Sequence, residues 1–169
     1  MEWLPDGTRL LSITEQQPRR VLVIDVATGR YEEFLRREGY SLYGPALSPD
    51  ARWLAQVVRS GSAEFQLFVL PLAEWRPPAG AEWTPVAGAR TSGVVRWSPD
   101  GNTLYFLSDS DGYFCVWAQR FDRSAGRPQG PPFAVQHFHS ARRSLSSLTA
   151  PFLRLSRSEE RRVGKECRL

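Results

Sequence analysis

The sequence predicts an all-β fold of repeated four-stranded antiparallel units, and three observations predict it. The first is a turn followed by a strand, Trp97-Ser98-Pro99-Asp100-Gly101 and then Leu104-Tyr105-Phe106-Leu107. Pro99 presets φ for a tight turn, Asp100 closes it with its side chain and Gly101 tolerates positive φ at the exit. The second is recurrence: Leu47-Ser48-Pro49-Asp50 precedes Trp53–Val58, and Trp3-Leu4-Pro5-Asp6-Gly7 precedes Arg9–Ile13. The prolines stand about 44 and then about 50 residues apart, within the range of repeat architectures. The third is that two more short apolar runs follow each such hairpin, so every period holds four strands, the content of a propeller blade. The predicted fold is therefore an incomplete β-propeller of about three blades. A non-repeating β-sandwich with similar turns is the alternative, and three copies in register argue against it.

The first blade covers about residues 1–41. Met1–Leu4 reads as the remnant of an inner strand and Arg9–Ile13 as the second strand. Val21–Val26 is nearly all apolar, the pattern of a strand covered on both faces. Ala27-Thr28-Gly29 turns the chain into Tyr31–Leu35, an outer edge strand whose mixed charges discourage pairing with other sheets. Glu32, Glu33 and Glu38 read as that solvated edge, not as a carboxylate site. The second blade, about 42–92, offers Leu42–Leu47, Trp53–Val58, Phe65–Leu70 and the proline-broken Glu82–Val86, which belongs at an edge. Ala51 stands where the other copies have Gly. The third blade, about 93–140, offers Val94–Trp97, Leu104–Ser108, Tyr113–Arg120 and Phe133–His137. Its turn Asp122–Gly126 keeps the Asp-to-Gly interval of Asp25 to Gly29. A further blade is expected to open within 145–156, at Leu148–Leu155.

The chain of 169 residues is 41% hydrophobic and 12% aromatic, a composition for folding a core, not for disorder. It carries no apolar run long enough to span a bilayer as a helix, and no secretory leader precedes the first repeat. Beginning inside a repeat, it is expected to be a fragment. Residues 157–169 hold the only lysine, Lys165, and resemble a translated sequencing adapter, so they are set aside as a non-native tail. Without them 17 basic residues face 15 acidic ones, too even a balance for a nucleic-acid surface. One cysteine then remains, Cys115, in an apolar strand, where it reads as a small core residue.

No constellation for catalysis stands out. There is no Gly-x-Ser-x-Gly elbow and no Gly-rich phosphate loop. Pro5, Asp6, Gly7, Pro49, Asp50, Pro99, Asp100 and Gly101 recur blade by blade, which marks them as structural turn residues. Asp109 and Asp111 flank a turn without the remaining ligands of a calcium loop. His137 and His139 would share a strand face, but two histidines fall short of a zinc site. Trp3, Trp53, Trp97 and Trp117 lie within strand patterns and read as core. The sequence thus calls for no cofactor and no metal.

The three Pro-Asp turns resemble the repeat of TolB-type, WD-repeat-like β-propellers over most of residues 1–140, with Leu4 for Ser and Ala51 for Gly as departures. Gly126-Arg127-Pro128 through Ser144 is similar to the last part of propellers in bacterial multi-domain proteins, some with a serine/threonine kinase or DNA-binding domain upstream. The resemblance implies a non-catalytic scaffold that binds a protein or peptide, the sensor or interaction part of a larger bacterial protein. It also implies a periplasmic or other extracytoplasmic setting if the likeness to TolB extends that far. Contacts are expected from loops such as Ser60–Ala63, Asp109–Gly112 and Arg142-Arg143, and the missing blades are partners in their own right. The alternative is the propeller of a prolyl-oligopeptidase-like hydrolase whose catalytic domain lies elsewhere. A metal-dependent sugar or lactone enzyme would need acidic and histidine ligands in a central channel, and no such set is visible. Unburied end faces lead to the expectation that the chain self-associates when alone.

Overall fold

The computed structural model describes residues 1–86 and 91–137. The predicted opening of a further blade, the tail, His139 and Arg142-Arg143 lie outside them. Among the described residues there is no helix, hence none that could cross a membrane, and twelve strands form three sheets.

The first sheet contains β1 (Glu2–Trp3), β2 (Arg9–Ile13), β3 (Val21–Asp25) and β4 (Tyr31–Leu35). The second contains β5 (Ser41–Leu47), β6 (Trp53–Arg59), β7 (Gln66–Pro71) and β8 (Thr84–Pro85). The third contains β9 (Thr91–Trp97), β10 (Thr103–Ser108), β11 (Cys115–Asp122) and β12 (Arg127–Gln136). Each sheet is an antiparallel meander whose spatial order follows the sequence. This is the predicted incomplete propeller of three four-stranded blades.

Two apolar cores join the blades. Leu11, Val21 and Val23 of the first pack with Leu42, Leu54 and Leu70 of the second. On the other side of the second blade, Ala55, Val57 and Val69 pack with Val95, Leu104 and Phe106 of the third. Burying each large aliphatic or aromatic side chain contributes roughly 1.5–3 kcal/mol, so these interfaces dominate the stability of the array. The first strands meet, β5 lying against both β1 and β9. Trp97 Nε1 donates to the Ala46 carbonyl across that junction at 3.1 Å. The approach is tight: a Cβ added to Gly44 would stand 2.3 Å from the Gly93 oxygen.

Several edges depart from the sequence reading. β12 starts at Arg127, not Phe133, running through Pro128, Pro131 and Pro132. Among the described residues β12 pairs on one side only, and the register shift between Ala118 and Arg120 leaves Gly130, Pro131 and Pro132 out of the ladder, while a second shift skips Val135. Gln119, buried beside one of these bulges, donates to the carbonyls of Gln129 and Gly130. β9 starts at Thr91 instead of Val94, while β11 starts at Cys115 instead of Tyr113. β3 is covered fully on one face only: Val21 and Val23 are buried, Leu22 and Ile24 partly so. Trp97 is buried and Trp53 and Trp117 pack against the core, but Trp3 is exposed. Neighbouring strand residues face opposite ways, and in the first blade it is Leu4 that enters the core.

Candidate functional site

The repeated turns are built alike, and the hydrogen bonds explain the residue types. In the second blade Ser48 Oγ accepts the Trp53 N–H at 3.0 Å and donates to Asp50 Oδ1 at 2.6 Å, which accepts the Arg52 N–H at 3.2 Å. In the third, Ser98 Oγ accepts the Thr103 N–H at 3.0 Å and donates to Asp100 Oδ1 at 2.5 Å, which accepts the Asn102 N–H at 3.0 Å. The first blade has Leu4 in place of the serine. There Asp6 Oδ1 takes both N–H groups itself, from Thr8 at 2.9 Å and Arg9 at 3.1 Å. Gly7 and Gly101 have φ of 67° and 73°, and Ala51 is held at 52° at the same position, a conformation costly for a residue with a Cβ.

All three aspartates are held below the ordinary carboxylate range. The Thr8 N–H is the largest influence on Asp6, pulled down to about 2 against the effect of burial, with Arg9 assisting. At Asp50 burial opposes the charge, and the Ser48 hydroxyl, Arg123 and the Arg52 N–H overcome it. The Ser98 hydroxyl leads at Asp100. These carboxylates are spent on holding backbone and, at Asp50, on an ion pair with Arg123 of the third blade. Arg123 also donates to the Asp100 carbonyl at 3.1 Å, so one guanidinium ties two turns together.

Pro5, Pro49 and Pro99 line one cleft of about 420 Å³ with Glu2, Trp3 and Arg96. Burial raises the Glu2 carboxyl there, with Arg96 opposing. The three Pro-Asp turns thus share one end of the array. By the meander topology, the loops joining second to third strands share the other: residues 14–20, 60–65 and 109–114. Ser60–Ala63 is exposed throughout, and Ser110, Asp111 and Gly112 are exposed at the same end.

That end also carries a cluster the sequence reading did not assemble. Asp111, Cys115 and His137 each present one ligand-type atom, and these atoms lie within 4.8 Å of one another. His137 Nδ1 and Asp111 Oδ2 are 3.1 Å apart. Asp111 keeps its turn role as well, Oδ1 accepting the Tyr113 N–H at 3.3 Å. Cys115 is buried, as the sequence implies, whereas the His137 ring is exposed and the Asp111 side chain partly buried. The signal that unites them is the β11–β12 pairing, with Val116 opposite Gln136.

No protein-family model matches the sequence, and no curated protein matches it significantly. Solved structures do match. TolB from Acinetobacter baumannii has a TM-score of 0.57 at 19% identity, over 76% of this chain and 30% of its own. The chain is an incomplete β-propeller. Prolyl oligopeptidase B from Galerina marginata, solved with a 35mer hydrolysis and macrocyclization substrate, has a TM-score of 0.53 at 15% identity, over 80% of this chain and 20% of its own. A puromycin hydrolase mutant has a TM-score of 0.53 at 18% identity, over 75% of this chain and 22% of its own. At these identities the likeness is one of fold, and the propeller segment spans between 20% and 30% of each neighbour.

Proposed function

We propose that this propeller segment is a non-catalytic scaffold that binds a protein or peptide at the end bearing the loops 60–65 and 109–114, within a longer bacterial protein that supplies the remaining blades. The observation that carries the reading is topological. Exposed loops from successive blades gather at one end of sheets whose cores and interfaces are continuous, so the loops are mounted on a rigid support. The near-even charge of the body favours a polypeptide over nucleic acid as the partner. The turn aspartates support a non-catalytic role, since each is engaged by the backbone it holds. The hydrolase-propeller alternative rests on the fold alone.

The test is selection of peptides displayed on phage against the purified chain, followed by two loop replacements with Gly-Ser linkers of equal length. Replacing Ser60–Ala63 or Asp109–Gly112 is expected to weaken the selected binders at least tenfold, a loss of about 1.4 kcal/mol. Replacing Pro78-Ala79-Gly80, at the opposite end, is expected to leave them unchanged. Binders lost only in the latter variant would overturn the assignment.

A further inference from the structure

We propose that Asp111, Cys115 and His137 form a site for a borderline divalent transition-metal ion, Zn²⁺ foremost, at the loop end of the third blade. The chemistry of the set selects the ion. A thiolate, an imidazole and a carboxylate are zinc ligands, whereas calcium and magnesium take oxygen alone.

The geometry is close to what such an ion requires. With Zn–S near 2.3 Å and Zn–N or Zn–O near 2.0–2.1 Å, tetrahedral ligand atoms stand about 3.3–3.6 Å apart. The imidazole and carboxylate are already at 3.1 Å, and every ligand atom of the trio lies within 4.8 Å of the others. Side-chain rotation of about an ångström completes the arrangement. The backbone positions are fixed independently. Cys115 opens β11, and His137 follows the last residue of β12, its hydrogen-bonded neighbour. Asp111 sits in the tight turn entering β11, closed by Gly112 N–H donating to the Asp109 carbonyl at 2.8 Å.

The site has a floor and a mouth. Cys115 is buried below, the Asp111 side chain is half-covered and the His137 ring is open to solvent above, so the ion enters from the His137 side. The Trp117 ring meets the His137 ring edge to face at 6.4 Å and walls one side. On binding, the thiol gives its proton to solvent, and thiolate and carboxylate together neutralise the dication. Three protein ligands leave a fourth position for water or for a group from a bound partner. The ion would clip the 109–114 loop to the end of β12, which among the described residues is held from one side only. The ordinary reading of the same atoms is an ion pair above a core thiol, and the two differ in what they do with metal.

The test is Co²⁺ titration of the full chain carrying Cys167→Ser, which removes the other thiol. The expected result is one equivalent bound, with thiolate-to-cobalt charge-transfer absorption and the visible bands of a tetrahedral ion, all displaced by Zn²⁺. Cys115→Ser is expected to abolish the charge-transfer band. His137→Gln and Asp111→Asn, both at exposed positions, keep the test alive should that core variant fail to fold. Each is expected to weaken Co²⁺ binding at least about tenfold and to remove the Zn²⁺-dependent rise in melting temperature. No cobalt spectrum, a spectrum that survives His137→Gln, or one lost with His139→Gln while His137→Gln retains it, each overturns the assignment.

Discussion

At Asp6 one side chain does the work that two do elsewhere. With Leu4 in place of the serine found at Ser48 and Ser98, its carboxylate receives two backbone N–H groups and the Arg9 guanidinium. The same contacts make folding pH-dependent. An aspartate titrates near 3.9 in an unfolded chain, and this one is held at about 2 when folded. Its stabilising contribution is therefore complete above about pH 4 and disappears as the pH falls toward 2. Asp25, Asp50, Asp100 and Asp122 are depressed as well and act in the same direction. Glu2, raised chiefly by burial, acts oppositely: its penalty grows as the pH rises through the ordinary carboxylate range. Five groups against one give net acid destabilisation. Urea midpoints measured from about pH 5 to 2 should fall, and Asp6→Asn should flatten that fall while lowering the midpoint at neutral pH. An unchanged slope in Asp6→Asn would show that the hydrogen bonds do not couple to folding.

At the scale of the element, equivalent turns separate backbone strain from packing. Gly29 and Gly126 end the third-to-fourth-strand turns of the first and third blades, with φ of 70° and 66°. A Cβ at Gly29 meets nothing within 4 Å, but at Gly126 it would stand 2.4 Å from the Trp53 ring of the second blade. Gly29→Ala should cost about 1–2 kcal/mol from backbone strain alone. Gly126→Ala should cost about 1–3 kcal/mol more, because the ring must move. In a Trp53→Leu background the excess should vanish, and equal costs in the parent chain would remove the argument. These turns were legible because Pro, Asp and Gly act through local geometry, and Val57 or Phe106 because a short apolar run bounded by turns is a local mark too. β12 was legible only from Phe133, since its stretch of prolines is tolerated by a one-sided edge and not by strands in general. The Asp111, Cys115 and His137 cluster was not legible at all. Four and 22 residues separate its members, and only the bulged register between β11 and β12 brings them together. Pairing of distant strands is a tertiary fact with no local mark.

At the scale of the whole molecule, burial distinguishes the middle blade from the outer two. Leu54, Ala55, Gln56, Val57 and Val58 are all buried in succession, because β6 has a sheet against each face. The corresponding strand of the first blade, β2, buries only Leu11. The blades on either side of the second leave large apolar groups in solvent: Trp3 is 55% exposed and Tyr31 71% in the first, and Phe133 43% in the third. Isolated apolar side chains on a surface are ordinary, but a blade packs through its face, and among the described residues no sheet covers these faces as the second blade is covered on both sides. Repeat arrays in this condition associate unless their terminal units carry polar outer faces. Sedimentation velocity over a hundredfold concentration range should show species heavier than the monomer, growing with concentration. Tyr31→Arg combined with Phe133→Lys should shift that distribution toward the monomer without changing the far-ultraviolet circular dichroism. A single monomeric species at every concentration, with cooperative melting, would show that the outer faces of the first and third blades are self-sufficient.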